Sequence, residues 1–356
     1  MVEHEVSATK LHVCATHSRS GIADYAKDFH RLVLAPEGYT LCDPNEIPRH
    51  GAFWKETQFH VQLGAFQHAE RRAASRLLTA GCETVEATIH DPPFAAFPYF
   101  AFHSALLTRL SRGFDWYLRS FGLQRRLIER LRRVFVLSDH GKAAVLRIAP
   151  RANVFVMPHI VDRVRVWAPG SPLGTALLYF GFIGPNKGLD HVLEVHAALR
   201  RLRPGVRLHV VGQPGSDRAR SYLEGLRRRY TDDVIYHGYV TDDHLDALFV
   251  QAAHVILPYA PYRYIVPTSG SVVHALRRAR VIWTTAANAM SELIVDGENG
   301  FMLTMDPVAD AQRLARVIDD QLLTRRVSDG ARKTALAMAD FPYRRFLASE
   351  ASPGRT

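Results

Sequence analysis

A chain of 356 residues with 47% hydrophobic and 22% charged residues is ordinary for a folded protein and long enough for about two domains. Its net charge of +10 and pI near 9.7 favour an anionic partner: phosphorylated substrates, an anionic membrane surface or nucleic acid; an arginine-rich coding bias accounts for part of that excess. Cys14, Cys42 and Cys82 are scattered, with no Cys-x-x-Cys pair, which argues against a disulfide framework or zinc site and makes the reducing cytoplasm the default compartment. The N-terminus is acidic, without a signal-peptide core. The longest apolar-looking run, Phe94 to Phe102, holds Pro98 and is far shorter than the roughly 20 residues of a spanning helix.

Strand-like runs alternate with helical patterns along the chain. Lys10 to Ala15 precedes a helix from Ile22 to Leu34. Val85 to Ile89 and Val134 to Leu137 read as strands, His140 to Arg147 as a helix and Val154 to Met157 as a strand. After Pro169-Gly-Ser-Pro172 the alternation restarts, with strands at Ala176 to Phe180, Arg207 to Val211, Val234 to Tyr236, His254 to Leu257 and Val281 to Thr284. Helices between them are expected at Asp190 to Arg201, Ala219 to Tyr230, Asp242 to Gln251 and Ser271 to Arg278. Such alternation predicts parallel, doubly wound sheets, and such sheets bind ligands at their C-terminal edges. The expected organisation is an N-terminal domain over 1–168, a C-terminal domain over 173–340 with a cleft between the two, and a segment 341–356 crossing back.

Several loops carry chemistry. Tyr179 to Asp190 runs from an apolar strand through a glycine-containing loop with one lysine, Lys187, into a helix; a cation on such a loop is a phosphate clamp in many nucleotide-using proteins. In Ser20-Gly-Ile-Ala-Asp-Tyr25, Gly21 lets a ligand approach the backbone at a helix start, or simply makes the turn. His90, in Thr88-Ile-His-Asp-Pro-Pro93, ends a strand; it either faces the cleft or caps the turn. Ser138 is expected to N-cap its helix. Thr268-Ser-Gly-Ser271 reads as an N-cap with free N–H groups, a ready anion site, with Arg263 just upstream. Gly212 and Tyr239 follow strand ends, and Tyr239 is either a stacking partner or a surface tyrosine. His103 to Arg133 holds eight arginines interleaved with leucines and aromatics. That pattern suits an anionic membrane surface, or amphipathic helices packed on the sheet.

These landmarks, in this order from residue 20 to 301, resemble the retaining GT-B glycosyltransferases of the family 4 type, in a bacterial polysaccharide-assembly branch. The resemblance rests on the Lys187 loop, Ser20 to Tyr25, Thr88 to Asp91, Ala275 to Thr285, Ser291-Glu292 and Asp296 to Phe301. It implies two Rossmann-like domains of α/β class and transfer of a hexose from a UDP- or GDP-linked sugar to an acceptor hydroxyl. Anomeric configuration would be retained, without a metal or other cofactor, by front-face attack. His90 would contact the donor sugar and act with Lys187 in catalysis. Gly21, Ile22, Lys187, Arg263, Ser269, Gly270 and Ser271 would hold the diphosphate, and Gly212, Tyr239, His274 and Glu292 the nucleotide. The acceptor would be a glycan or a polyprenyl-diphosphate-linked sugar, met at the inner face of the plasma membrane. No nucleic-acid motif is present.

The departures from the pattern are specific. Val266 and His274 occupy the places of a Glu-x7-Glu pair whose second carboxylate binds ribose. Phe182 and Gly184 stand where an arginine usually partners the lysine, and Ala279 replaces a glycine. A non-catalytic GT-B binding or scaffold subunit is the competing expectation.

Overall fold

The structure, a computed structural model, describes residues 9–15, 20–47, 54, 56–100, 104, 106–107, 110–111, 113, 122–165 and 174–349. The Pro169–Pro172 linker and most of the basic stretch from His103 onward lie outside the described residues. The chain divides into two compact units. The first is Met1–Asp162 with Arg263–Thr268 and Phe341–Thr356; the second is Arg163–Tyr262 with Ser269–Asp340.

The first unit is built from β1 (Lys10–Val13), α1 (Gly21–Phe29), β2 (Tyr39–Cys42), β3 (Gln58–Ala65), α2 (His68–Thr79), β4 (Val85–Ile89), the two-residue β5 (Ala96–Phe97), α3 (Leu123–Arg130), β6 (Arg133–Val136), α4 (Asp139–Ile148) and β7 (Val154–Val156). The sheet is parallel in the order β2-β1-β3-β4-β6-β7, with β5 paired to β3. Successive side chains of a strand point to opposite faces, and β3 uses this fully. Phe59, Val61 and Leu63 join Leu77, Val85, Ala87 and Ile89 in one apolar core cluster. His60 and Gln62 point the other way, where His12 is paired in register with His60 and Thr88 with Gln62.

The second unit contains β8 (Leu177–Phe180), a 3-10 turn Pro185–Lys187, α5 (Leu189–Leu202), β9 (Leu208–Val211), α6 (Asp217–Arg229), β10 (Val234–Gly238), α7 (Asp242–Gln251), β11 (His254–Leu257), α8 (Gly270–Leu276), β12 (Val281–Thr284), α9 (Met290–Leu293), β13 (Gly300–Met302), α10 (Pro307–Asp319) and α11 (Gln321–Ala339). Its sheet is also parallel, in the order β10-β9-β8-β11-β12-β13. The expected α/β class with parallel, Rossmann-like sheets is what the chain forms. α10 is locked by Asp310, whose carboxylate accepts from His191 Nε2, Thr304 N, Thr304 Oγ1 and Met305 N. Burial raises the Asp310 pKa, but these hydrogen bonds outweigh it and hold the group below the usual carboxylate range.

The last helix, α12 (Tyr343–Ala348), packs in the first unit. Tyr343 OH donates to the carbonyls of Pro158 and His159. Arg133 pairs with Glu86 at 2.7 and 3.0 Å and donates to the carbonyls of Phe346, Leu347 and Ser349 at the C-terminal end of this helix. A buried guanidinium is tolerated where every donor finds a partner.

Most strand expectations match to within a residue or two. The first helix needs correction: α-helical bonding stops at Phe29, and His30–Leu34 is a π-turn followed by a 3-10 turn carrying Pro36. Proline lacks an N–H and cannot continue an α-helix. Ser138 caps α4, its Oγ accepting from Gly141 N. Among the described residues no helix is long and apolar enough to cross a membrane.

Ala279, where the resembled family has a glycine, adopts φ +49° and is buried. The left-handed region costs a Cβ-bearing residue roughly 1–2 kcal/mol, part of which glycine returns through the greater freedom of its unfolded chain. Ala279→Gly is therefore expected to stabilise the fold by about 0.5–1 kcal/mol, read as a rise in the urea midpoint at unchanged slope; a lower midpoint would contradict this.

Candidate functional site

In the second unit the site is built where β8, β9 and β11 end. The loop leaving β8 and the loop leaving β11 are in direct contact. Gly188 has φ +68°, and a Cβ added there would lie 2.1 Å from the carbonyl oxygen of Pro258, so only glycine fits. Beside it Ala260 N donates to the carbonyl of Asn186 at 3.3 Å. Between these two contacts the Lys187 ammonium sits 4.9 Å from the centroid of the Tyr259 ring and 5.9 Å from that of Tyr262. The negative ring faces favour a cation there. The tyrosine loop is held in turn by Thr285 Oγ1, donating to the Tyr259 carbonyl at 2.5 Å, and by Asn288 Oδ1, accepting from Tyr262 N at 3.1 Å.

Ser269 caps α8: its Oγ accepts from Val272 N at 3.3 Å and donates to Tyr259 OH at 2.7 Å. A Cβ on Gly181, at the end of β8, would lie 2.8 Å from Ser271 Oγ. A Cβ on Gly212, at the end of β9, would lie 1.8 Å from the Gly181 carbonyl oxygen. Lys187, Gly212, Ser269, Gly270 and Ser271 are thus gathered around the Gly181 and Gly188 backbone. His274, one turn into α8, has its Nδ1 within 3.3 Å of Arg277 Nη2 and 3.4 Å of Arg278 Nη1, and Arg278 pairs with Asp246. Tyr239, past β10, is 74% exposed, and Glu292 is exposed on α9. Asn288, Tyr259 and Tyr262 were not singled out by sequence reasoning; the tyrosines of Pro258-Tyr-Ala-Pro-Tyr262 were the available signal.

In the first unit the candidate residues meet at Gly64, the penultimate residue of β3. A Cβ there would lie 2.7 Å from Ile22 Cδ1, 2.9 Å from Asp91 Oδ2 and 3.3 Å from His90 Cβ. Gly64 therefore brings together the start of α1, with Gly21 and Ile22, and the His90-Asp91 turn. Asp91 Oδ2 fixes that turn by accepting from Ala65 N at 2.7 Å. The His90 ring turns inward rather than capping the turn: its Nε2 lies 2.7 Å from Gln62 Oε1, and Tyr25 packs edge-on at 4.7 Å. Arg263 belongs to this unit, is exposed and lies over the Tyr264 ring at 5.3 Å. Val266 N donates to the Pro92 carbonyl at 2.7 Å. Thr16 to Arg19, the start of the first loop, lies outside the described residues. Among the described residues no group of three or more His, Cys, Asp or Glu is arranged to hold a metal ion.

The model of the group 1 glycosyl transferases matches residues 174–320, the span that carries the Lys187 loop and α8. Residues 174–320 are thus similar to a group 1 glycosyl transferase domain, on a fold of the GT-B type. A curated relative, lipopolysaccharide 1,2-N-acetylglucosaminetransferase of Salmonella typhimurium, is 26% identical over 144 residues, 38% of this chain and 37% of its own length. The match thus spans little more than a third of that relative. Among solved structures, Anabaena HepE in complex with UDP-glucose superposes with a TM-score of 0.68 at 16% identity, over 96% of this chain and 98% of that one. Sucrose-phosphate synthase from Thermosynechococcus elongatus superposes with a TM-score of 0.68 at 14% identity, over 93% and 94%. TarM superposes with a TM-score of 0.61 at 13% identity, over 92% of this chain but only 56% of its own length. At these identities the structural likeness concerns the fold.

Burial is the main cause of low histidine pKa values in this protein. It lowers His60 to about 3, helped by Arg133, and His90 to about 3, helped by His159 and His60; it also lowers His254 to about 3, helped by Arg280. The folded state keeps these groups neutral while the unfolded chain binds protons below pH 6.5. Stability is therefore full above that pH and falls as pH drops toward 3, each histidine adding about 1.4 kcal/mol per pH unit. Thermal melts are expected to hold level from about pH 7.5 to 6.5 and to shift downward from there to about pH 5, and His60→Gln to flatten that slope; pH-independent melting below pH 6.5 would contradict it.

Proposed function

We propose that this protein is a retaining glycosyl transferase of the family 4 type, moving a hexose from a UDP- or GDP-linked sugar to an acceptor hydroxyl in polysaccharide or lipid-linked glycan assembly. The observation that carries the reading is the placement of Lys187 between two glycine-enforced loops, beside the capped start of α8. The lysine ammonium, with backbone N–H groups of Gly270 and Ser271, offsets the charge that grows on the departing diphosphate as the sugar–oxygen bond breaks. Gly21 and Ile22 border the diphosphate, with Arg263 as a further cation. His90 hydrogen-bonds the donor sugar. Gly212 gives the nucleotide a close backbone approach, Tyr239 stacks on the base, and His274, in place of the usual carboxylate, meets the ribose with Glu292 nearby. On this reading no metal or cofactor is needed. The departing phosphate takes the acceptor proton, and front-face attack retains the anomeric configuration.

The acceptor is a glycan or a polyprenyl-diphosphate-linked sugar, and the arginines of 103–133 hold the enzyme at the anionic cytoplasmic face of the plasma membrane. The solved neighbour with UDP-glucose supports a nucleotide-sugar donor, and the Salmonella typhimurium relative, an N-acetylglucosaminetransferase, supports a hexosamine or hexose as the transferred group.

A donor screen read by product release, with wild type and Lys187→Ala, tests the reading. Turnover of one donor is expected, with kcat lowered by about 10²–10³-fold in the variant, as when one charge-stabilising donor is removed. A variant equal to wild type would remove the clamp. Absence of turnover together with absence of UDP and GDP binding by calorimetry would instead point to a non-catalytic scaffold, which the missing Glu-x7-Glu pair favours.

A further inference from the structure

The polar face of the first unit's sheet holds a file of side chains that the proposed chemistry does not use. Gln62, fully buried in the middle of β3, sits between two imidazoles. Its Nε2 lies 2.8 Å from His12 Nε2 on β1, and its Oε1 lies 2.7 Å from His90 Nε2. An amide nitrogen only donates and an amide oxygen only accepts. With the amide oriented in this way, His12 accepts at Nε2 and carries its proton on Nδ1, a buried donor without a hydrogen-bond partner among the described residues. His90 must donate from Nε2, which leaves its Nδ1 as an acceptor. One amide sets two opposite tautomers.

We infer that Gln62 is a positioning residue for His90: it holds the ring in the Nε2–H tautomer, so that Nδ1 presents a lone pair to a hydroxyl of the donor sugar. This rests on the proposed contact between His90 and that sugar. The ring has no other freedom. Tyr25 from α1 closes one side at 4.7 Å and also packs edge-on against His159 at 4.9 Å. The Gly64 backbone crowds Cβ, and the His90 backbone N–H donates to the Leu63 carbonyl at 2.9 Å. The groups around His90 are His12, His60 and His159, with Tyr25 and Asp91; the low pKa of the buried imidazole keeps it neutral across the physiological range. A neutral ring of one tautomer discriminates, because it accepts from a hydroxyl but cannot pair with a second lone pair. Burying an amide in a sheet core without partners is costly; here the two histidines satisfy both of its ends.

Long-range proton–nitrogen spectra of the histidine-labelled full chain test this directly, with His12 and His90 assigned by His12→Gln and His90→Gln. Opposite tautomers are expected, Nδ1–H for His12 and Nε2–H for His90; an Nδ1–H tautomer or an imidazolium at His90 near pH 7 would overturn the inference. Gln62→Leu is expected to mix the His90 tautomers and lower kcat/KM for the sugar donor about 5- to 100-fold, the range for one lost buried hydrogen bond. Affinity for the free nucleoside diphosphate should be unchanged, which a merely structural role would not spare. Gln62→Glu, which still accepts from His90, is expected to retain the Nε2–H tautomer. A Gln62→Leu protein with an unmixed His90 tautomer and wild-type kcat/KM would also overturn it. If no donor turns over in wild type, the sugar reading fails and the spectra alone decide the tautomer.

Discussion

The second unit turns on a close approach of two loops, where Gly188 meets the carbonyl of Pro258 at a distance no side chain would permit. That contact fixes the turn of Pro185–Lys187 against the tyrosine loop and so places one cation in front of two aromatic faces. The same crowding recurs at Gly212 against Gly181, which draws the end of β9 onto the end of β8. On the proposed reading, a phosphate-sized anion there meets backbone N–H groups and a lysine rather than side-chain bulk. In the proposed mechanism, with Phe182, Gly184, Val266 and His274 at the places where the resembled family carries an arginine and two carboxylates, charge neutralisation rests chiefly on Lys187.

The first unit solves a different problem. A central parallel sheet is normally apolar on both faces, yet here β1, β3 and β4 line one face with His12, His60, Gln62 and Thr88. Hydrogen bonds pair them, His60 with Thr88 and Gln62 with both His12 and His90. Burial keeps the imidazoles neutral. The polar file ends at His90, and the Gly64 backbone locks that end against Ile22 and Asp91. Stability at neutral pH and a fixed ring at the sheet edge come from one set of contacts.

Those contacts also explain what could be read in advance. Strands such as Val85–Ile89 and His254–Leu257 are continuous apolar runs and were legible, as was the Lys187 loop, because strand, loop and helix follow each other in sequence. β3 was not. Its residues Gln58-Phe-His-Val-Gln-Leu-Gly-Ala alternate polar with apolar, the pattern of a half-exposed strand, although the whole strand is buried or nearly so. The roles of Gln62 and Gly64 depend on neighbours 26 to 50 residues away and leave no local mark. Arg263 reads as a neighbour of the α8 start by sequence, but Arg263–Thr268 clusters with the first unit, since Val266 N pairs with Pro92. The α10 and α11 helices lack a motif and went unread, while Ala279, noted only as a departure, is the glycine-like turn its positive φ shows.

The proposed mechanism requires nucleotide diphosphate to bind on Lys187. Amine-selective labelling of the full chain, read by mass spectrometry with and without saturating UDP or GDP, tests it without needing an acceptor. Nucleotide is expected to slow modification of Lys187 while exposed Lys27 and Lys333 react at their original rates. Nucleotide that binds by calorimetry yet leaves the Lys187 rate unchanged would contradict it.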